Sequence, residues 1–307
     1  MAIPFPGRLY DLGTHRLHAS CGGMGASPTV VFDAALGGSS LSWCLVEPAL
    51  AALAPTFTYD RAGMGWSEIG PLPRSLERQS ADLERLLALA GVSAPYILVG
   101  HSYGALVVQY FAARHVGLVA GLVLVDPPAL DAWSAPDAAH QAQLARGIKL
   151  ARRGAWAARI GLARLVAALV ASGALRPAAA LATMVSGGKL RTRSDFNFAP
   201  AAHMPAAWKP AMRRFWTRPA FYAALASQME SLPADAALVK ALPPPVVPTV
   251  VLSAANTPAA QLDEHARLAA SGPHGLHWVA RSSGHWIPVE DPELVVRAVS
   301  TVLSSQS

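Results

Sequence analysis

The hydrophobic pattern changes character twice along the chain. Over the first 130 residues, short apolar runs alternate with stretches of helical period. The runs at 17–21, 29–32, 56–59, 96–99 and 122–125 predict strands, several of them apolar throughout. Between them, a helical stretch is expected up to Leu53, and residues 80–90 place Leu83, Leu86, Leu87 and Ala90 on one helix face. Residues 105–113 are also predicted helical. After Pro243-Pro244-Pro245 the alternation resumes, with strands at 247–252 and 276–280 and helices at 259–270 and 292–303. A strand that is apolar along its whole length is buried on both faces, so the pattern predicts an α/β fold. The expected architecture is a mostly parallel, doubly wound sheet. Residues 131–240 interrupt it. They are rich in Ala and Arg and carry no convincing strand, so they read as an all-helical insertion. The expected organisation is a core over 1–130 and 241–307 with an insertion over 131–240.

Composition narrows the class. At 307 residues the chain can bury a sizeable core without covalent staples. Apolar residues make up 52% and charged residues 14%, which excludes a charge-rich disordered chain. Two cysteines, Cys21 and Cys44, form neither a disulfide framework nor a Cys-rich zinc site, so a reduced interior is expected. Met1 to Arg8 shows no basic segment followed by an apolar one, so no secretory leader is expected. The longest apolar candidate, 160–175, contains Arg164, so no transmembrane helix is expected either, and the predicted location is the cytoplasm. Net charge is +6, but 131–240 holds 15 Lys/Arg against 5 Asp/Glu while the rest holds 10 against 14. The basic insertion favours weak contact with an anionic membrane surface or an anionic substrate. No nucleic-acid-binding module is present, so nucleic acid is not an expected partner. Gly22-Gly23-Met24-Gly25 lacks the third glycine of a dinucleotide loop and precedes a strand. With no phosphate loop and no Cys/His metal spacing, no cofactor and no metal are expected.

The chemistry concentrates at Gly100-His101-Ser102-Tyr103-Gly104, which follows one predicted strand and opens a helix. This is the G-x-S-x-G nucleophile elbow in the context that it requires. The glycines make room for a strained turn that a side chain would crowd. A serine hydroxyl needs an adjacent base. Among ten histidines, His285 in Ser283-Gly284-His285-Trp286 lies in the loop after the last predicted strand, where a base returns to the top of the sheet. His101 reads as core-facing, and the other eight as surface or packing residues.

Several motifs together resemble the α/β-hydrolase superfamily over nearly the whole chain. They are Leu36-Gly37-Gly38-Ser39, Asp60-Arg61-Ala62-Gly63-Met64-Gly65, the Ser102 elbow, Ser283-Gly284-His285 and Val289-Glu290-Asp291-Pro292-Glu293. The resemblance implies a nucleophile–acid–histidine triad. In many members the acid follows the strand that is 247–252 here, but Ser253-Ala254-Ala255-Asn256-Thr257-Pro258 holds no carboxylate. Asp126, at the end of strand 122–125, is the expected acid, because one subgroup of haloalkane dehalogenases carries its acid after the equivalent strand. Asp263 is the alternative, though it falls inside a predicted helix, and Asn256 would orient the histidine only weakly. The implied oxyanion donors are the backbone N–H groups of Tyr103 and, from the loop after Phe32, Leu36. Asp60 and Arg61 are expected to brace a loop. The insertion stands where this superfamily carries a helical cap, with 155–175 as a cap helix. Phe196, Phe198, Trp208, Phe215, Trp216, Phe221, Tyr222 and Met229 supply bulk for the cap core or for a pocket.

The expected function is a cofactor-free serine hydrolase that cleaves a carboxylic ester of a small hydrophobic molecule through an acyl-enzyme. Ser102 would be nucleophile, His285 base and Asp126 acid. The epoxide hydrolases and dehalogenases of this superfamily use an aspartate nucleophile, which Ser102 excludes here. Acyl transfer and C–C bond hydrolysis use the same triad. A ligand-binding protein of the same fold is the competing reading, kept open by the missing carboxylate after Leu252.

Overall fold

The central apolar runs become strands because they are buried between two helical layers. The computed structural model describes residues 6–25, 28–171 and 203–306. Its eight strands are β1 (Arg8–Asp11), β2 (Arg16–Gly22), β3 (Thr29–Asp33), β4 (Thr56–Tyr59), β5 (Tyr96–His101), β6 (Val119–Val125), β7 (Thr249–Ala254) and β8 (Leu276–Ala280). They form one sheet in the order β1-β2-β4-β3-β5-β6-β7-β8. The β1–β2 and β2–β4 pairs are antiparallel and all others parallel. Alternate side chains feed opposite cores, as a period of two requires. Val31, Leu98, Leu122, Leu124 and Val251 enter one cluster, and Phe32, Ile97, Val99, Val123 and Leu252 the other.

The described helices are α1 (Glu47–Ala51), α2 (Leu76–Ala90), α3 (Tyr103–Arg114), α4 (Leu130–Ser134), α5 (Ala138–Arg159), α6 (Leu162–Ala171), α7 (Lys209–Phe215), α8 (Pro219–Lys240), α9 (Ala259–Ala270), α10 (Ile287–Glu290) and α11 (Pro292–Ser304). The first core is covered by α2, α3 and α9, the second by α1 and α11. Among the described residues, no helix is long and apolar enough to cross a membrane, and no cluster of His, Cys, Asp or Glu could hold a metal ion.

Some boundaries differ from expectation for local reasons. β1 was not predicted, since Arg8-Leu9-Tyr10-Asp11 has too short a pattern to read alone; it exists by pairing with β2. β7 starts at Thr249 rather than 247, after Pro248, which lacks an N–H and offers its carbonyl to Leu122 N–H (2.9 Å). The helical stretch expected up to Leu53 is a 3-10 turn over Ser40–Trp43 followed by the five-residue α1. Between β6 and β7 every described element is helical. The helix expected over 155–175 is two pieces, the end of α5 and α6, separated at Gly161, whose φ is +80°. Residues 172–175, Phe196 and Phe198 lie outside the described residues. Helices α5 and α8 approach closely because α5 presents glycines: a Cβ on Gly154 would stand 2.5 Å from the Tyr222 ring.

Candidate active site

Ser102 sits between β5 and α3 with φ 52° and ψ −120°. A positive φ is costly for any residue with a Cβ and persists only where the surroundings enforce it. Here the enforcement is close packing. A Cβ on Gly100 would lie 2.6 Å from the Gly104 carbonyl oxygen, and one on Gly104 would lie 2.6 Å from the Ala34 carbonyl oxygen. The first turn of α3 therefore rests directly on the backbone after β3. The Ser102 N–H donates to the Val125 carbonyl (2.8 Å), which ties the turn to the end of β6.

Asp126 follows that carbonyl, one strand over, with φ 43°. Its Oδ2 accepts from His285 Nδ1 at 2.6 Å, and its Oδ1 accepts from the Ala254 N–H (3.1 Å) and the Thr257 hydroxyl (3.0 Å). Burial alone pushes this carboxyl up, but the hydrogen bond and charge of His285, with the Ala254 N–H, outweigh it and hold the group below its ordinary value. The aspartate that sequence reasoning placed near His285 is thus in contact with it. Asp263 is exposed on α9. Asn256 lines the cavity beside the pair.

Beneath Asp126 runs a second polar chain. The Pro127 carbonyl can only accept, so His265 Nε2 carries the proton and donates to it at 2.9 Å. His265 Nδ1 then accepts from the Ser253 hydroxyl (2.7 Å), and Ser253 Oγ accepts from His277 Nε2 (2.7 Å). Burial pushes both histidines below their ordinary values, consistent with the neutral rings that this pattern needs. Sequence reasoning classed His265 and His277 as surface or packing residues. The available signal was the end of β7 and the loop after it, which offer hydroxyls at Ser253 and Thr257 where a carboxylate was expected.

His285 is held from three sides. Glu290 accepts from the Gly284 N–H (2.7 Å) and the Ser283 hydroxyl (2.9 Å), which fixes the loop. The fully buried His101 donates from Nε2 to the His285 carbonyl (2.7 Å). Burial, and then the nearby His285, push His101 down to about 3, so it is neutral and able to keep that bond.

Arg61 braces the remaining wall. This buried guanidinium pairs with Asp33 and donates to the carbonyls of Ala34 (2.5 Å) and Ala35 (2.7 Å). In a trans peptide the C=O and N–H point in opposite directions, so the Leu36 N–H faces away from Arg61. The same guanidinium lies 5.3 Å from the centre of the Tyr103 ring. The Tyr103 hydroxyl donates to Asp235 of α8 (2.7 Å) and accepts from Gln79 (2.7 Å). Burial drives Asp235 up to about 6, against the hydrogen bonds from Tyr103 and Leu76. Asp60 has the bracing part expected of it: it accepts from Ser40 (2.7 Å) and Trp66 (2.9 Å) and faces His18 at 2.9 Å.

Leu36, Ser102, Tyr103, Asp126 and His285 all line one cavity of about 430 Å³. A second cavity, of about 560 Å³, shares Leu36, Gly147, Met229 and Trp286 with it. Phe215, Trp216, Phe221, Tyr222 and Met229 line this second space, whereas Trp208 packs in a cluster with Phe215 and Met212. What the geometry can do chemically is hold a hydroxyl, an imidazole and a carboxylate around one concave space.

Comparison with known proteins agrees with this architecture. The chain shares 40% identity over 102 residues with the uncharacterized protein YqjL of Bacillus subtilis, a match covering 32% of this chain and 39% of that one. The curated relatives that it matches are covered over 15–39% of their own length. Its fold is similar to that of the epoxide hydrolase CorEH (TM-score 0.70, 18% identity, 98% of this chain and 99% of that chain). It is also similar to an esterase from Thermogutta terrifontis (TM-score 0.65, 22% identity, 95% of this chain and 94% of that chain). The profile described as the alpha/beta hydrolase fold matches residues 28–292. With an eight-stranded, mostly parallel sheet covered by helices on both faces, the chain belongs to the α/β-hydrolase family.

Proposed function

We propose that the protein is a serine hydrolase that cleaves carboxylic esters of small hydrophobic molecules through an acyl-enzyme. The observation that carries this reading is the 2.6 Å His285–Asp126 hydrogen bond in the same cavity as a serine on a strained elbow. His285 takes the proton of Ser102 as Oγ attacks the ester carbonyl carbon. The carbonyl oxygen becomes an oxyanion, received by the backbone N–H groups of Tyr103 and Leu36, the second steadied by Arg61 through the Ala35 carbonyl. His285 then gives the proton to the leaving alcohol as the C–O bond breaks. Water, activated by the same histidine, releases the acid and regenerates Ser102. Asp126 keeps the imidazole in the tautomer with its proton on Nδ1 and offsets its positive charge. The helices between β6 and β7 act in this reading as the cap over the site, with α8 reaching Tyr103 through Asp235.

A serine at the elbow supports acyl rather than alkyl transfer, since the epoxide-opening members of this superfamily attack through a carboxylate at that position. The test is hydrolysis of p-nitrophenyl esters by the wild type and Ser102→Ala. Loss of at least about four orders of magnitude in kcat is expected for a chain whose nucleophile is removed. Wild-type rates no higher than those of Ser102→Ala would sink the enzyme reading and leave a ligand-binding protein in its place.

A further inference from the structure

The two cavities share Leu36, Gly147, Met229 and Trp286, and the larger is the more apolar of the two. Of the described residues that line the larger one, Arg153 alone is charged, and rings and thioethers from Met212, Phe215, Trp216, Phe221 and Met229 dominate. The smaller one sets the candidate triad and the amide side chains Gln143, Asn256 and Gln261 among apolar residues such as Trp133, Leu144 and Leu232. Ser102, Tyr103 and His285 line the smaller cavity and not the larger. Leu36 lines both.

This arrangement orients an ester. A general acid must reach the oxygen that it protonates, so the leaving alcohol lies on the side of His285. The oxyanion sits at its donors, and Leu36 is on the boundary between the cavities. The acyl substituent is the remaining arm of the tetrahedral centre, and the space left for it is past Leu36. We infer that the 560 Å³ cavity is an acyl subsite, and that the substrates are esters joining a long or bulky apolar acid to a small polar alcohol. The inference rests on the ester-hydrolase reading above. In it, Ser102 Oγ bonds to the carbonyl carbon of the apolar acid as the C–O bond to the alcohol breaks, the alcohol departs with the proton from His285, and water later takes the acyl group. A cavity of this size is in the range that encloses a small-molecule ligand.

Isomeric esters test the orientation without changing total apolar area. Methyl octanoate and heptyl acetate have the same atoms but opposite arms, and proton release reports the hydrolysis of each. The wild type should prefer methyl octanoate in kcat/KM by about thirtyfold or more, the effect of two to three methylenes moved from water into an apolar site. Ala157→Phe projects a ring from α5 into the larger cavity, of which Ala157 is a lining residue. It should remove most of that preference and leave heptyl acetate within about twofold, an alcohol arm in the other cavity losing no burial. A preference for heptyl acetate, or equal loss of both isomers in Ala157→Phe with an unchanged melting temperature, overturns the acyl assignment. So does Ser102-dependent hydrolysis of p-nitrophenyl acetate with neither isomer turned over. Absence of any Ser102-dependent hydrolysis removes the ester-hydrolase reading itself, and this assignment with it. The isomer ratio of the wild type decides the matter even if a variant fails to fold.

Discussion

The proposed nucleophile and the proposed acid occupy equivalent places on neighbouring strands and are supported in opposite ways. Ser102 directly follows β5 and Asp126 directly follows β6, and both have positive φ, which they share with His274 alone among the described non-glycine residues. Each gives its N–H to the next strand, Ser102 to Val125 and Asp126 to Leu252. At Ser102 the strain is held by backbone packed on backbone, through Gly100 and Gly104. At Asp126 it is held by polar groups reaching across the sheet: Ala254, Thr257, His285 and the His277–Ser253–His265 chain that ends on Pro127. One site is made rigid by what is missing from its neighbours, the other by what its neighbours contribute.

The sharpest way to break the comparison is to change the acid while leaving its size. Asp126→Asn should lower kcat for p-nitrophenyl ester hydrolysis by about four orders of magnitude, because an amide stabilises the wrong imidazole tautomer. KM should move little. A loss of tenfold or less would mean that another group orients His285. Next comes the glycine side. Gly104→Ala sets a methyl 2.6 Å from the Ala34 carbonyl oxygen, and its position on a helix leaves little freedom to yield. A loss of about 1–3 kcal/mol in denaturant unfolding is expected from such overpacking. An unchanged midpoint would show that the elbow has slack.

The polar bracket predicts a smaller and more selective effect. His265→Leu should cost about ten- to a hundredfold in kcat, the range typical when a partner that orients a catalytic ligand is lost. His265→Gln should recover most of it, since its amide can donate to Pro127 and accept from Ser253. A purely structural histidine would give equal deficits in both variants. The smallest effect concerns Asp235 under Tyr103. Its folded value, near 6, lies above that of an unfolded aspartate, so the stability that it contributes is complete below about pH 4 and is lost as pH rises through 6. The melting temperature of Asp235→Asn relative to wild type should therefore climb by a few degrees between pH 4 and 7. A constant difference across that range would mean that Asp235 titrates normally.

The contrast also explains what could be read in advance. The elbow is a local device, five consecutive residues with two obligatory glycines, so Ser102 was legible from spacing. The parallel core was equally legible, because burial on both faces makes strands such as 96–99 continuously apolar. The bracket around Asp126 is not local: Ala254 and Thr257 stand 128 and 131 residues further on, and no spacing links them. Asp126 itself was reached through resemblance to a subgroup of the superfamily. The support that His265 gives left only the hydroxyls of Ser253 and Thr257 as a sign, and Glu290, though part of a motif that carries the resemblance, was given no role by it. Edge strand β1 escaped for a related reason, since it depends on pairing with β2 rather than on its own sequence.

The helical stretch that shapes the cavities leaves the sheet after Val125 and returns at Thr249, on strands that pair directly as Val125↔Leu252 and Leu122↔Thr249. Because its two ends are fixed side by side by the sheet, the excursion between them can lengthen or shorten with little penalty, loop-closure entropy growing only with the logarithm of its length. Strand order, elbow and acid are untouched by such a change. The helical stretch can therefore be rebuilt without disturbing the sheet ends that carry Ser102 and Asp126, so the shape of the cavities and the geometry of the proposed triad are free to vary independently.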